Sequence, residues 1–257
     1  MLAIDRRKTI LEIINKEESV KVLDLSKQFN VTLETIRRDL EKLENEGYIT
    51  RSYGGAVLNK STNEDISINI REATNKEDKN LIGKAVADLI QDGDTIMMDS
   101  STTALYVAKY LKGKKITIIT NALKIPMVLA GDSNIQVIST GGTLKSTSLS
   151  FVGHWAESAI EKYYVNKTII SCKAINIEHG IMEPHQLETE VKKKMIKTSE
   201  QVILAVDSSK FDKKSFIKAY NLDKLDIIVT DKELSNKWVE TLHDNKVDVI
   251  KVGEGIE

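Results

Sequence analysis

The chain has 257 residues, a formal net charge of −1, 41% hydrophobic and 29% charged residues, which excludes wholesale disorder and, with no run of about 18 apolar residues, a membrane-spanning helix. One cysteine, Cys172, and two prolines leave no internal disulfide and no Pro-rich linker. Residues 1–60 carry 11 Lys and Arg against 10 Asp and Glu, so any contact with nucleic acid must come from local placement of cations and not from bulk charge.

Charges at Asp5, Arg6, Arg7 and Lys8 stand where a signal peptide needs its apolar stretch, and a cytoplasmic location is expected. Ile10, Leu11 and Ile14 repeat at helical spacing from Asp5 to Lys16. Val22, Leu25 and Phe29 mark a second short helix, and Asn30-Val31 a tight connection. Thr32 offers a side-chain cap to a third helix that runs to about Glu46 and stops at Gly47. Ile36, Leu40 and Leu43 form its inner face. Ile49 to Tyr53 alternates as a strand, Gly54-Gly55 suits a two-residue turn, and Ala56-Val57-Leu58 returns. The polar run 59–69 reads as a linker, which divides the chain into domains 1–58 and 70–257.

Past the linker a helix is expected from about Glu72 to Gln91-Asp92-Gly93. Strand-like runs then alternate with helical ones. The strands are Thr95–Met98, Lys115–Thr120, Ile135–Ile138, Val165–Ile170, Val202–Val206, Ile227–Val229 and Val247–Lys251. The helices are Thr103–Leu111, Ala122–Ala130, Val152–Tyr163, Thr189–Ser199 and a segment near Lys237–Leu242. Continuous apolar strands alternating with helices indicate an α/β domain with a mainly parallel sheet covered on both faces.

With Ile36 inward, Glu34, Arg37, Arg38 and Glu41 face outward on the third helix. Thr32 and Thr35 sit at its N-terminus, where backbone N–H groups favour a phosphate. Such a helix after a short helix and tight turn fits a DNA major groove about 12 Å wide. Arginine matches guanine O6/N7 or phosphate. Arg51 and Tyr53 lie on the hairpin, placed to touch the flanking backbone as a wing. A solvated helix face is the competing reading of those charges, but helix, Gly stop and Gly-Gly hairpin occur together.

In the second domain several strand ends carry small polar residues. They are Asp99-Ser100-Ser101-Thr102-Thr103, Thr120-Asn121, Gly141-Gly142-Thr143 and Asp207-Ser208-Ser209-Lys210. Open α/β sheets bind ligands at such edges, and hydroxyls with helix N-terminal amides suit a phosphate. Ordinary turns and caps are the alternative for any one loop. Glu188 and Lys192 share a helix face four residues apart, either as effector ligands or as an exposed ion pair. Lys173 is a further candidate cation. Cys172, His179 and His185 match no structural zinc spacing, so no metal is expected.

These residues resemble the DNA-binding signature of the DeoR family of bacterial transcription regulators. The string Thr35-Ile36-Arg37-Arg38-Asp39-Leu40, followed by Gly54-Gly55-Ala56, carries the likeness. Tyr53 stands where the family often has histidine. The family's later motifs also occur in order: Asp99 to Thr103, Thr120-Asn121, Gly141-Gly142, Glu188 to Lys192, and Asp207 to Phe211. Ser101 takes the common glycine position of the first loop. The resemblance implies an N-terminal winged helix-turn-helix and a C-terminal sensor like a sugar-phosphate isomerase fold. It implies operator DNA and a phosphorylated sugar as partners, no cofactor, and a homodimer or homotetramer. The expected function is a repressor of carbohydrate metabolism genes. Two alternatives stay open: a sugar-phosphate isomerase with Glu188 or Asp99 as base, and an acyl-CoA-responsive regulator.

Overall fold

The computed structural model describes residues 2–45, 49–58 and 67–253. The chain forms two compact units, Met1–Thr74 and Asn75–Glu257. In the first, α1 (Ala3–Glu17), α2 (Val22–Phe29) and α3 (Leu33–Asn45) pack their apolar faces together. Ile10 and Ile14 of α1, Leu25 of α2, and Ile36, Leu40 and Leu43 of α3 are fully buried there. Thr32 Oγ1 accepts the Thr35 N–H at 3.2 Å, which is the expected cap. Asn30 ends α2 at φ 51°, a left-handed conformation that asparagine tolerates.

A small antiparallel sheet completes this unit. Its strands are β1 (Ser19–Lys21), β2 (Ile49–Ser52) and β3 (Gly55–Leu58), in the order β1-β3-β2. β1 was not expected, because three residues carry no measurable alternation. The turn also differs from expectation. Ser52 pairs with Gly55, so the loop residues are Tyr53 and Gly54 rather than Gly54 and Gly55. Gly54 takes φ 86°. Gly55 is a strand residue that packs tightly, since a Cβ on it would lie 2.2 Å from Val20 O. The expected helix stop at Gly47 and residues 59–66 of the expected linker lie outside the described residues. Residues 68 and 69, also expected as linker, instead open α4 (Ile68–Ala73).

The helix expected from Glu72 to Gln91 is two helices. α4 stops at Thr74, Asn75 turns through φ 51°, and α5 (Lys76–Asp88) follows. In chain order the second unit then runs β4 (Thr95–Met98), α6 (Thr102–Tyr110), β5 (Ile116–Thr120), α7 (Lys124–Leu129), β6 (Ile135–Ser139), a hairpin of β7 (Thr143–Lys145) and β8 (Ser150–Val152), α8 (His154–Ile160), β9 (Val165–Ile170), β10 (Ala174–Asn176), β11 (Gly180–Glu183), α9 (Gln186–Lys197), β12 (Ser199–Ala205), β13 (Ile217–Tyr220), β14 (Ile227–Thr230), α10 (Asn236–Asp244) and β15 (Asp248–Lys251). Seven strands form one parallel sheet in the order β15-β14-β12-β9-β4-β5-β6.

Alternate residues of each strand serve opposite faces, the period of two that a pleated strand imposes. Ile96 and Met98 of β4 join Ile118, Ile169, Ile203 and Val229 under α5, α6 and α7. Met97 points the other way and packs with Ile119, Ala156, Ile160, Val191 and Met195 beneath α8 and α9. Leu204 and Ile228 meet Trp238 and Leu242 of α10 on that second face. The antiparallel pieces β7–β8 and β10-β11-β13 were missed by the sequence reading. Val152, expected to begin a helix, ends β8, and Gly153 at φ 85° delays α8 to His154. Ser199, expected to end a helix, opens β12. Among the described residues no helix is long and apolar enough to cross a membrane.

Candidate functional site

On α3, the buried Ile36, Leu40 and Leu43 decide where every other side chain points. Glu34, Arg37, Arg38 and Glu41 are exposed, as the spacing predicts. The Thr32 and Thr35 hydroxyls lie 2.9 Å apart at the helix N-terminus. Glu34 stands 3.8 Å from Arg37 and 3.5 Å from Arg38. Asp39, the next residue, is turned inward. It accepts Arg6 Nε–H at 2.6 Å and a bond from Arg7 at 3.4 Å, which ties α3 to α1. Arg51 on β2 is held by Glu44 through its backbone N–H at 2.8 Å and its Nε–H at 2.6 Å. Those two bonds keep the Glu44 carboxyl below the usual carboxylate range. Tyr53 is fully exposed at the hairpin tip. Arg37, Glu44, Arg51 and Tyr53 line a cleft of about 580 Å³ between α3 and the hairpin.

In the second unit, the crossovers from β4 and β9 leave the sheet in opposite senses, so their carboxyl ends flank the crevice where such sheets take ligands. Asp99 follows β4 and is fully buried. Its carboxylate accepts the N–H groups of Ser101 at 2.9 Å and Ser171 at 3.0 Å. Lys192 Nζ lies 3.1 Å from it and also donates to Glu183 at 2.5 Å and to Ser171 O at 2.7 Å. Of the three ammonium donors, two are hydrogen-bonded, to Glu183 and Ser171 O, and Asp99 stands beside the group as an ion pair. Burial acts to lower the Lys192 pKa, but Glu183 and Asp99 outweigh it and hold the ammonium above the ordinary lysine range. Burial raises the Glu183 carboxyl, and Lys192 offsets only part of that. Burial also pushes the Cys172 thiol and the Tyr220 hydroxyl up.

Several expected roles change accordingly. Lys192 does not pair with Glu188, and it is not a free cation for a ligand phosphate. Glu188 instead accepts Ser150 Oγ–H at 3.1 Å and sits 3.4 Å from Lys145. Asp99 has both carboxylate oxygens occupied, so its work is to hold the Ser101 and Ser171 loops together. Thr120 is fully buried, donating to Met98 O at 2.7 Å and accepting the Ala122 N–H at 3.0 Å. Asn121 donates to Phe151 O at 3.0 Å, while its Oδ1 is buried without a hydrogen-bond partner among the described residues. Gly142 makes its close approach to the chain itself: a Cβ there would lie 2.9 Å from Val152 O. Gly141, at φ 63°, faces open space.

Other strand-end residues do gather. Ser100, Thr102 and Thr103 are buried at the start of α6, and Ser101 Oγ caps that helix by accepting the Ala104 N–H at 3.1 Å. Asp207 follows β12, bonded by Ser209 and by Asn75 Nδ2 at 3.0 Å. Burial works to raise its pKa, but Lys210, Ser209, Lys79 and Asn75 together hold it below the usual range. Lys210 forms no ion pair among the described residues. Lys173 is half-buried between β9 and β10.

Comparison with known proteins decides what this architecture is. The family model described as the DeoR C terminal sensor domain matches residues 74–232, and that of the DeoR-like helix-turn-helix domain matches residues 6–62. The chain belongs to the DeoR family of transcriptional regulators. It is 43% identical to YulB, an HTH-type transcriptional regulator of Bacillus subtilis, over 98% of each chain. It is 33% identical to the L-fucose operon activator of Haemophilus influenzae over 89% of this chain and 92% of that one. It is 32% identical to GlcR, an HTH-type transcriptional repressor of B. subtilis, over 96% and 95%. A ribose 5-phosphate isomerase A from Methanocaldococcus jannaschii aligns at TM-score 0.40 and 15% identity over 54% of this chain and 55% of that one, too remote to carry any argument about activity.

In this DeoR-family chain Glu44, Glu183, Ser150 and Asn75 also enter these contacts, and no motif singles them out. Glu183 left a trace: it is a lone acid ending the apolar run Ile181-Met182, and an acid there needs a buried cation. Glu44 left none, because its partner lies on another element. Among the described residues no group of three or more His, Cys, Asp or Glu side chains is placed to hold a metal ion.

Proposed function

We propose that this DeoR-family regulator represses genes of carbohydrate metabolism, and that a phosphorylated sugar bound at the carboxyl ends of β4, β5 and β12 detaches it from operator DNA. Arg37 and Arg38 read guanine edges in the major groove, with Glu34 between them. The Thr32 and Thr35 end of α3 meets a backbone phosphate. Arg51 and Tyr53 bring the hairpin to the flanking backbone.

One observation carries the effector reading. The N-terminus of α6 opens on three buried hydroxyl residues, Ser100, Thr102 and Thr103, and Lys210 stands at the same edge of the sheet, where its charge acts on Asp207. A helix end supplies about half an elementary charge, so a phosphate there needs such a cation. With Lys192 held by Asp99, Glu183 and Ser171 O, Lys210 takes that role. Asn121, Glu188, Gly141 and Lys173 face the sugar. The isomerase reading has weaker support, since both of its candidate bases are held by the chain: Asp99 accepts two backbone N–H groups and faces Lys192, and Glu188 accepts Ser150 Oγ–H and lies 3.4 Å from Lys145. The L-fucose operon activator supports a link to sugar genes, and the repressor GlcR supports repression, which is the reading adopted.

Two DNA heads on half-sites about 34 Å apart require a dimer or tetramer, which light scattering measures. The effector must differ in affinity between the DNA-competent and released arrangements. Melting curves and operator gel shifts across sugar phosphates, free sugars and acyl-CoA esters test it. At a hundredfold excess over its dissociation constant the effector should stabilise the protein by about 2.7 kcal/mol. A panel in which no phosphorylated sugar raises the melting temperature or weakens operator binding ends the sensor reading. A response to a CoA ester alone, or turnover of a sugar phosphate, transfers it to one of the alternatives.

A further inference from the structure

The order β1-β3-β2 leaves β2 at an edge. Ser52 and Gly55 flank the two-residue turn, and Arg51 is paired with Ala56 one step further on. The backbone N–H of Arg51 therefore points away from β3, to the side where no strand lies, and an edge N–H needs another partner. Glu44, in the last turn of α3, supplies it. One carboxylate accepts both the Arg51 N–H at 2.8 Å and its Nε–H at 2.6 Å, one proton on each oxygen. The bond joins the helix to the hairpin across the cleft that Arg37 and Tyr53 line.

We infer that Glu44 is a positioning residue for operator binding: it clamps Arg51 and so fixes the hairpin tip, Tyr53 and Gly54, at a set offset from Arg37 on α3. The pair is exposed, and exposed ion pairs contribute little to stability, so its effect is on geometry. Two acceptor oxygens are needed at once. Glutamine keeps one of them, and alanine neither. Electrostatics alone gives the opposite sign, because removing a carboxylate beside a polyanion strengthens binding. The direction of the change therefore discriminates. The inference rests on the reading that the hairpin tip meets DNA.

The test uses the full chain and the DNA fragment it selects from a randomised library, titrated by mobility shift at fixed salt. Glu44→Ala should weaken binding by about five- to tenfold, with Glu44→Gln between it and the wild type, and neither should move the melting temperature. Tyr53→Ala should weaken binding in the wild-type background and add nothing in the Glu44→Ala background. A purely structural role would not produce that coupling. Tighter binding by either Glu44 variant overturns the inference, as does a Tyr53→Ala loss that is the same in both backgrounds. If Glu44→Ala unfolds while Glu44→Gln binds as the wild type, Glu44 is structural only and the inference falls. A Tyr53→Ala variant that costs nothing in the wild-type background removes the hairpin from the interface, and selection of no sequence at all removes the DNA-reading assignment itself.

Discussion

Adjacent residues on α3 do unlike work because each step turns the helix by about 100°. Arg37 and Arg38 reach solvent, whereas Asp39 reaches Arg6 in the core. Arg37→Ala and Arg38→Ala should each weaken specific operator binding by about 1–3 kcal/mol if they read a guanine; unchanged affinity in a gel-shift titration at fixed salt removes that role. The buried ion cluster obeys a different logic. Lys192→Met leaves Asp99 and Glu183 without their cation, and breaking a buried pair costs about 3–5 kcal/mol. Glu183→Gln should cost less, since one carboxylate still faces the ammonium. Burial raises the Glu183 carboxyl, so its protonated form favours the fold. Its contribution is present below the ordinary carboxylate range and fades as pH rises through the raised value. Urea unfolding of both variants across pH 4–8 checks the ranking, and Glu183→Gln should flatten the pH dependence.

Between α3 and the hairpin, geometry hangs on two adjacent glycines with different reasons to be glycine. Gly54 needs a left-handed φ but has open space around it, whereas Gly55 has an ordinary φ and a carbonyl in the way. Gly54→Ala should cost about 1–2 kcal/mol, the price of a Cβ in that region. Gly55→Ala forces β3 away from Val20 O at 2.2 Å, and overpacking of backbone on backbone costs about 1–3 kcal/mol or more. The second variant should also lose more operator affinity, because it moves the strand that carries the hairpin. Thermal melts paired with gel shifts separate the two; equal effects would mean the sheet yields at Gly55. The same comparison shows what was legible. Gly-Gly announced a hairpin but not its register, since register depends on what lies across from each residue.

Across the whole chain, the two compact units part at Thr74/Asn75, whereas the polarity of the sequence put the break at 59–69. Residues 68 and 69 of α4 read as linker and 70–73 as the start of the second domain, yet the helix falls in the first unit and Ile68 and Ile70 are buried. Limited proteolysis of the full chain should cut first between Leu58 and Ser67 and leave a fragment that begins before Ile68. Early cleavage inside the parallel sheet would count against two units. Periodicity found every strand of that sheet, because each is four to seven residues long and carries two or more apolar residues. It missed β1, β7, β8, β10, β11 and β13, which are three or four residues long and owe their extended form to a neighbour across the ladder.

The local pattern thus determined the helices that bury one stripe, the parallel strands, the outward arginines and the strand-end loops, because burial period and capping act within a few residues. Tertiary structure alone decided which charges are free. Lys192 looked like a ligand for an effector, Glu188 like its neighbour on the helix, and Arg51 like a cation open to DNA. The fold brought Asp99 and Glu183 to the first, Ser150 and Lys145 to the second, and Glu44 to the third. A charge is settled by whatever lies within about 4 Å of it once water is displaced, and residues 7 to 93 positions away in the chain enter that radius only after the fold has closed.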